Sequence, residues 1–87
     1  MKMIIVIVKD SDAEPITQAL TSNDFRVTRI ASTGGFLRSG VVTLLIGVDE
    51  ERVEEGIQVI RDQLGVSDSK ESRATLFVVP VQRFEQV

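Results

Sequence analysis

Arg26 and Thr28 stand two residues apart in the run FRVTRIA (residues 25–31), a spacing that puts both side chains on one face of an extended strand. A guanidinium offers a fixed fork of donors matched to phosphate, and a hydroxyl beside it can donate or accept. The pair therefore suits a small ligand carrying phosphate. Next comes STGGFLRSG (residues 32–40). Gly35 and the glycine before it leave backbone N–H groups unshielded and admit positive φ, which favours an anion cradle. Phe36 and Leu37 follow at once. Apolar side chains in a glycine-rich connection either pack back on the domain or cover a ligand or a subunit, and stacking on a nucleobase is a natural use of the ring. Arg38 brings a second cation toward the same region. A second reading of Arg26 stays open, in which the sheet face is buried between subunits and Arg26 forms an interfacial ion pair.

Catalytic chemistry finds little support. The 87 residues include no His and no Cys, which removes the usual general base, thiol nucleophile, disulfides and the commonest metal ligands. Asp49, Glu50, Glu51, Glu54, Glu55 and Asp62 crowd one predicted helix and read as its solvated face. Serines and threonines lack a base, and nothing marks Lys9 as a buried amine. A binding protein without a resident cofactor is expected, not an enzyme. Ten Lys and Arg against thirteen Asp and Glu give a net charge of −3, and the basic residues are scattered. Duplex nucleic acid is therefore not an expected partner. The apolar run at residues 3–8 is too short for a membrane span or a signal-peptide core, so no membrane insertion is expected and the cytoplasm is the default location.

The elements that must position these residues follow from the periodicity. Residues 3–8 form a continuous β-branched run, expected as a central strand covered on both faces. The period then changes to that of a helix. Asp12 is the preferred N-cap over Ser11, because it puts Pro15 at the third helical position, where no intrahelical donor is needed. Ile16, Ala19 and Leu20 supply the buried stripe. Residues 25–31 alternate as a second strand, with Phe25, Val27 and Ala31 on one face and Arg26, Thr28 and Ile30 on the other. VVTLLIG (residues 41–47) is a third strand. Asp49 is expected to cap a second helix whose inner stripe is Val53, Ile57, Ile60 and Leu64, with Val48 and Val53 as a staple and Gly65 as the stop. Gly56 inside it costs about 1 kcal/mol relative to Ala, which points to close packing. After the polar loop 66–73, residues 74–81 form the last strand, with Pro80 where a ladder donor can be spared. The order strand, helix, strand, strand, helix, strand predicts an α+β, ferredoxin-like βαββαβ domain over residues 1–87. It has a four-stranded antiparallel sheet and a long loop between strands two and three. One sheet face is left for a partner.

The stretches MKMIIVIVKD, NDFRVTRIASTGGFLRSG, IGV and the terminal TLFVVPV followed by FEQV resemble the cyclic di-AMP receptor branch of the PII-like signal-transduction proteins. The resemblance covers nearly the whole chain and is strongest over residues 23–40. It implies a homotrimer with three sheets facing inward and a small nucleotide, cyclic di-AMP, at each subunit interface beneath the 32–40 loop. Arg26 and Thr28 would then contact the ligand, and Phe36 and Leu37 would close over an adenine. Gly47 would admit close backbone approach, Phe77 would line the apolar wall, and Gln86 would hydrogen-bond the ligand. Three features depart from the family pattern. Asp24 stands where the family has Asn, Val41 and Val42 replace Asn-Thr, and the 66–73 loop is much shorter. An ionised Asp24 accepts but cannot donate, so weaker binding of cyclic di-AMP is expected. The alternative is a PII-like interaction module that has lost this ligand and docks a protein partner or another adenine nucleotide through the same loop.

Overall fold

The computed structural model describes residues 1–31, 40–65 and 74–87. The expectations for Gly35, Phe36, Leu37, Arg38 and the polar loop 66–73 lie outside the described residues. In chain order the elements are β1 (Lys2–Lys9), α1 (Asp10–Ser22), β2 (Arg26–Ala31), β3 (Val41–Val48), a 3-10 turn (Glu50–Arg52), α2 (Val53–Leu64) and β4 (Ala74–Pro80). The four strands pair in the order β2-β3-β1-β4, every neighbour antiparallel. This is the ferredoxin-like α+β arrangement that the element order predicts. No helix among the described residues is long and apolar enough to cross a membrane.

Strict alternation sorts the sheet into two faces. Ile4, Val6 and Val8 of β1 and Val42, Leu44, Ile46 and Val48 of β3 are buried on the helical side. There they meet Ala13, Ile16 and Leu20 of α1 and Ile60 of α2 in one core. Fully burying each such aliphatic side chain contributes about 1.5–3 kcal/mol. Gly56 allows the close approach expected of it: a β-carbon there would lie 3.2 Å from Ile4 Cδ1 and 3.4 Å from Phe25 Cε1. Among the described residues no helix covers the other sheet face. Register puts Met3, Ile5 and Ile7 beside Gly47, Leu45 and Thr43 on one side and Val79, Phe77 and Thr75 on the other. β1 is central, as expected, but the described helices cover only one of its faces. Its continuous apolar run therefore leaves Met3, Ile5 and Ile7 half-buried on the other face.

The first helix starts earlier than its cap residues suggest. Neither Asp12 nor Ser11 is the N-cap; that position is Lys9, and Pro15 lies inside the helix. The contacts that set the start are remote in sequence. The Asp10 N–H donates to the Gly40 carbonyl at 2.6 Å, and the Asp10 carboxylate accepts from Arg29 at 2.5 Å. Glu14 adds a second acid 3.6 Å from the same guanidinium. Pro15 has no N–H to give the Ser11 carbonyl, but Ser11 is exposed, where water can serve. Asp49 likewise precedes the 3-10 turn without a side-chain capping bond, and regular α-helix begins only at Val53. Gly65 ends α2 with φ 69°, as its type predicts.

The corner between α1 and β2 aims the second strand. Asp24 takes φ 65°, a left-handed conformation that Asp and Asn tolerate better than most residues. The Asp24 and Phe25 N–H groups return to the Thr21 and Leu20 carbonyls at 3.0 Å each, closing the helix end while Phe25 and Leu20 enter the core. Arg52 clasps this corner from the other helix. Its guanidinium sits 4.1 Å from the centre of the Phe25 ring and donates to the Asn23 carbonyl at 2.8 Å and to Glu55 at 2.6 Å. The Glu55 hydrogen bond, aided by the charges of Glu55, Asp24 and Asp49, raises the Arg52 pKa despite some desolvation.

Candidate nucleotide-binding cleft

A cleft of about 440 Å³ opens at one end of the uncovered sheet face. Its polar lining is Arg26, Thr28 and Gln86. Met1, Met3 and Leu45 form an apolar floor beside Gly47, and Val81 and Phe84 form a wall. Register explains the gathering: Arg26 lies opposite Gly47, Thr28 opposite Leu45, and Gly47 in turn opposite Met3. Three neighbouring strands thus each contribute side chains of the same parity. The Val81 N–H donates to the Met1 carbonyl at 3.0 Å and anchors the segment after β4 beside them.

Alternation gives the two arginines of β2 different work. Arg29 falls on the helical side and pairs with Asp10 and Glu14. Arg26 falls on the open side, is exposed, and has no carboxylate partner among the described residues. The cleft therefore holds a cation whose charge the described residues leave unneutralised. A phosphate or carboxylate would be drawn to it. No group of three or more potential metal ligands occurs among the described residues.

Gly47 has no evident reason to be glycine from the described packing. It lies outside the positive-φ residues, and a β-carbon there would meet only Met1 Cε, at an ordinary 3.9 Å. Glycine in a strand costs stability, so its place in the floor beside Arg26 suits close approach by something further.

Of the residues singled out from sequence, Arg26, Thr28, Gly47 and Gln86 come together here. Asp24 is not among the lining residues; it is exposed at the left-handed corner preceding β2. Phe77 shares the open face but lies on β4, opposite Ile5, with 51 % of its surface exposed and outside the cleft. Sequence reasoning did not single out Met1, Met3, Leu45, Val81 or Phe84. Strand parity alone would have found Met3 and Leu45. Nothing periodic marked Met1 or Phe84.

A family model described as cyclic-di-AMP receptor matches residues 1–69. Among solved structures, a functionally unknown protein from Pediococcus pentosaceus ATCC 25745 is 35 % identical, with a TM-score of 0.77. The match covers 99 % of this chain and 96 % of that one. By the extent of the family match, the chain belongs to the cyclic di-AMP receptor family.

Proposed function

We propose that this protein is a PII-like signal-transduction subunit that binds a small adenine nucleotide, above all cyclic di-AMP, and acts by binding rather than by catalysis. One observation carries the reading. Arg26, without a carboxylate partner among the described residues, shares a cleft with Thr28, Gln86 and an apolar floor of 440 Å³ scale. A nucleotide supplies the complement: phosphate for the guanidinium, a base edge for the amide, and a planar apolar face for the floor.

The proposal includes a homotrimer. Met3, Ile5, Leu45, Phe77 and Val79 share a sheet face that the helices leave uncovered, and neighbouring subunits would bury it. The ligand would then lie between subunits, with Gly35, Phe36, Leu37 and Arg38 of the 32–40 loop closing over it. Phe77 would add its ring to the apolar wall from a neighbouring subunit. Isothermal titration against cyclic di-AMP, ATP and AMP, with light scattering on the same samples, tests both parts. Saturable heat with cyclic di-AMP and a mass of three subunits is expected. No heat with any of the three refutes the ligand, and a stable monomer at micromolar concentration refutes the trimer.

A second reading keeps the fold and the assembly but gives the loop to a protein partner. Asp24 and Val41 favour it, because each lacks a donor that the family pattern supplies to the dinucleotide, whereas Val42 is buried in the core. Null titrations with all three nucleotides would select it.

A further inference from the structure

Phe84 is the largest side chain in the cleft wall and one of the most exposed large apolar groups of the described residues, at 62 %. It belongs to the segment after β4, which has no regular helix or strand. What distinguishes this ring from an ordinary exposed apolar side chain is its place in the lining of a cleft that also holds Arg26 and Gln86. In an extended chain, alternate side chains project to opposite sides. Arg83 and Glu85 pair with each other, while Phe84 and Gln86, the alternate positions, both line the cleft. Ring and amide are thereby presented to the cleft together. Val81, bonded to Met1, fixes where that presentation begins.

Resting on the proposed nucleotide role of the cleft, we infer that Phe84 is a base-stacking residue: its ring takes the face of a purine whose phosphate is held by Arg26 and whose edge is read by Gln86. The three groups supply the three kinds of contact that an adenine nucleotide offers, namely charge, edge and face. The C-terminal segment is then a working wall of the site and not a trailing end.

The chain contains no Trp and no Tyr, so Phe84→Trp creates a single indole reporter at the proposed contact. Cyclic di-AMP, ATP and AMP are titrated into wild type, Phe84→Ala, Phe84→Leu and Phe84→Trp, with light scattering on each. Stacking predicts that Phe84→Ala weakens binding roughly 5- to 150-fold and that Phe84→Leu recovers only part of this. Phe84→Trp should bind within a few-fold of wild type, with its emission quenched on saturation. Unchanged affinity in Phe84→Ala, or an indole indifferent to saturating ligand, overturns the stacking role while leaving the cleft as the nucleotide site. Dissociation of Phe84→Ala into monomers also overturns it, because the ring is then an intersubunit contact. Absence of binding by wild type to all three nucleotides is a separate outcome that removes the nucleotide reading itself.

Discussion

Replacing Gly47 with Ala should move stability and affinity in opposite directions. Gly47 lies in β3 between Arg26 and Met3, and the added β-carbon would find only Met1 Cε at 3.9 Å. No positive φ forbids the side chain. Mid-strand glycine costs roughly 0.5–1 kcal/mol relative to Ala, chiefly through the entropy of the unfolded chain, so the variant should be more stable by about that amount. For a domain of this size that is a rise of about 2–8 °C in Tm. The methyl would project from the cleft floor, where a ligand drawn to Arg26 must come close to the backbone. Overfilling a fitted contact costs about 1–3 kcal/mol, or roughly 5- to 150-fold in Kd. Thermal unfolding without ligand, at one fixed protein concentration, gives the first sign; calorimetric titration with cyclic di-AMP gives the second. A lower Tm would mean that the subunit itself needs the glycine. An unchanged Kd would mean that nothing approaches it. Either result refutes the reasoning.

Three further outcomes are expected. Arg26→Ala should lose about 10- to 150-fold in nucleotide affinity, the contribution of a charge-assisted bond of ~1.5–3 kcal/mol, with the light-scattering mass unchanged; dissociation of the assembly would instead support an interfacial ion pair. Asp24→Asn keeps a residue that tolerates φ 65°, so the turn is kept while the charge facing Arg52 is removed; tighter binding of cyclic di-AMP is expected, and equal affinities would make residue 24 a corner residue only. Gly56→Val should lower stability by about 1–3 kcal/mol in denaturant unfolding, because the space beside Ile4 and Phe25 is already filled at β-carbon distance; a variant as stable as wild type would show that α2 can move away.

What was legible in the sequence was whatever period two or period 3.6 encodes. The alternation of FRVTRIA correctly separated Arg26 and Thr28 from Val27, and register then carried those two to Gly47 and Leu45. The stripe of α2 and its Gly65 stop were equally plain. Local cap chemistry misled at Asp12, because the helix start is governed by Gly40 and Arg29, partners far along the chain. The family resemblance implied Phe77 as wall, and parity does put it on the open face. Yet within the chain β1 and β3 separate β4 from β2. Phe84 escaped because it lies in a segment without regular structure, anchored by one backbone bond, Val81 to Met1, which leaves no periodic trace.

The strand order also dictates a history for each molecule as it is made. β1 is synthesised first, yet both of its ladders wait for strands that come much later: Val8 pairs with Val42 and with Ala74. At about 5–20 residues per second, the interval from Val8 to Ala74 is roughly 3–13 s. Both edges of this β-branched segment stay unpaired until Val42 is made, roughly 2–7 s after Val8, and one edge stays open to neighbouring chains for the rest of the interval. The β2–β3 hairpin closes locally and early, while the centre of the sheet is completed last. Folding is therefore dominated by distant contacts, which slows it relative to a helical chain of equal length. The segment most hazardous for aggregation is the one that ends up in the middle of the finished sheet.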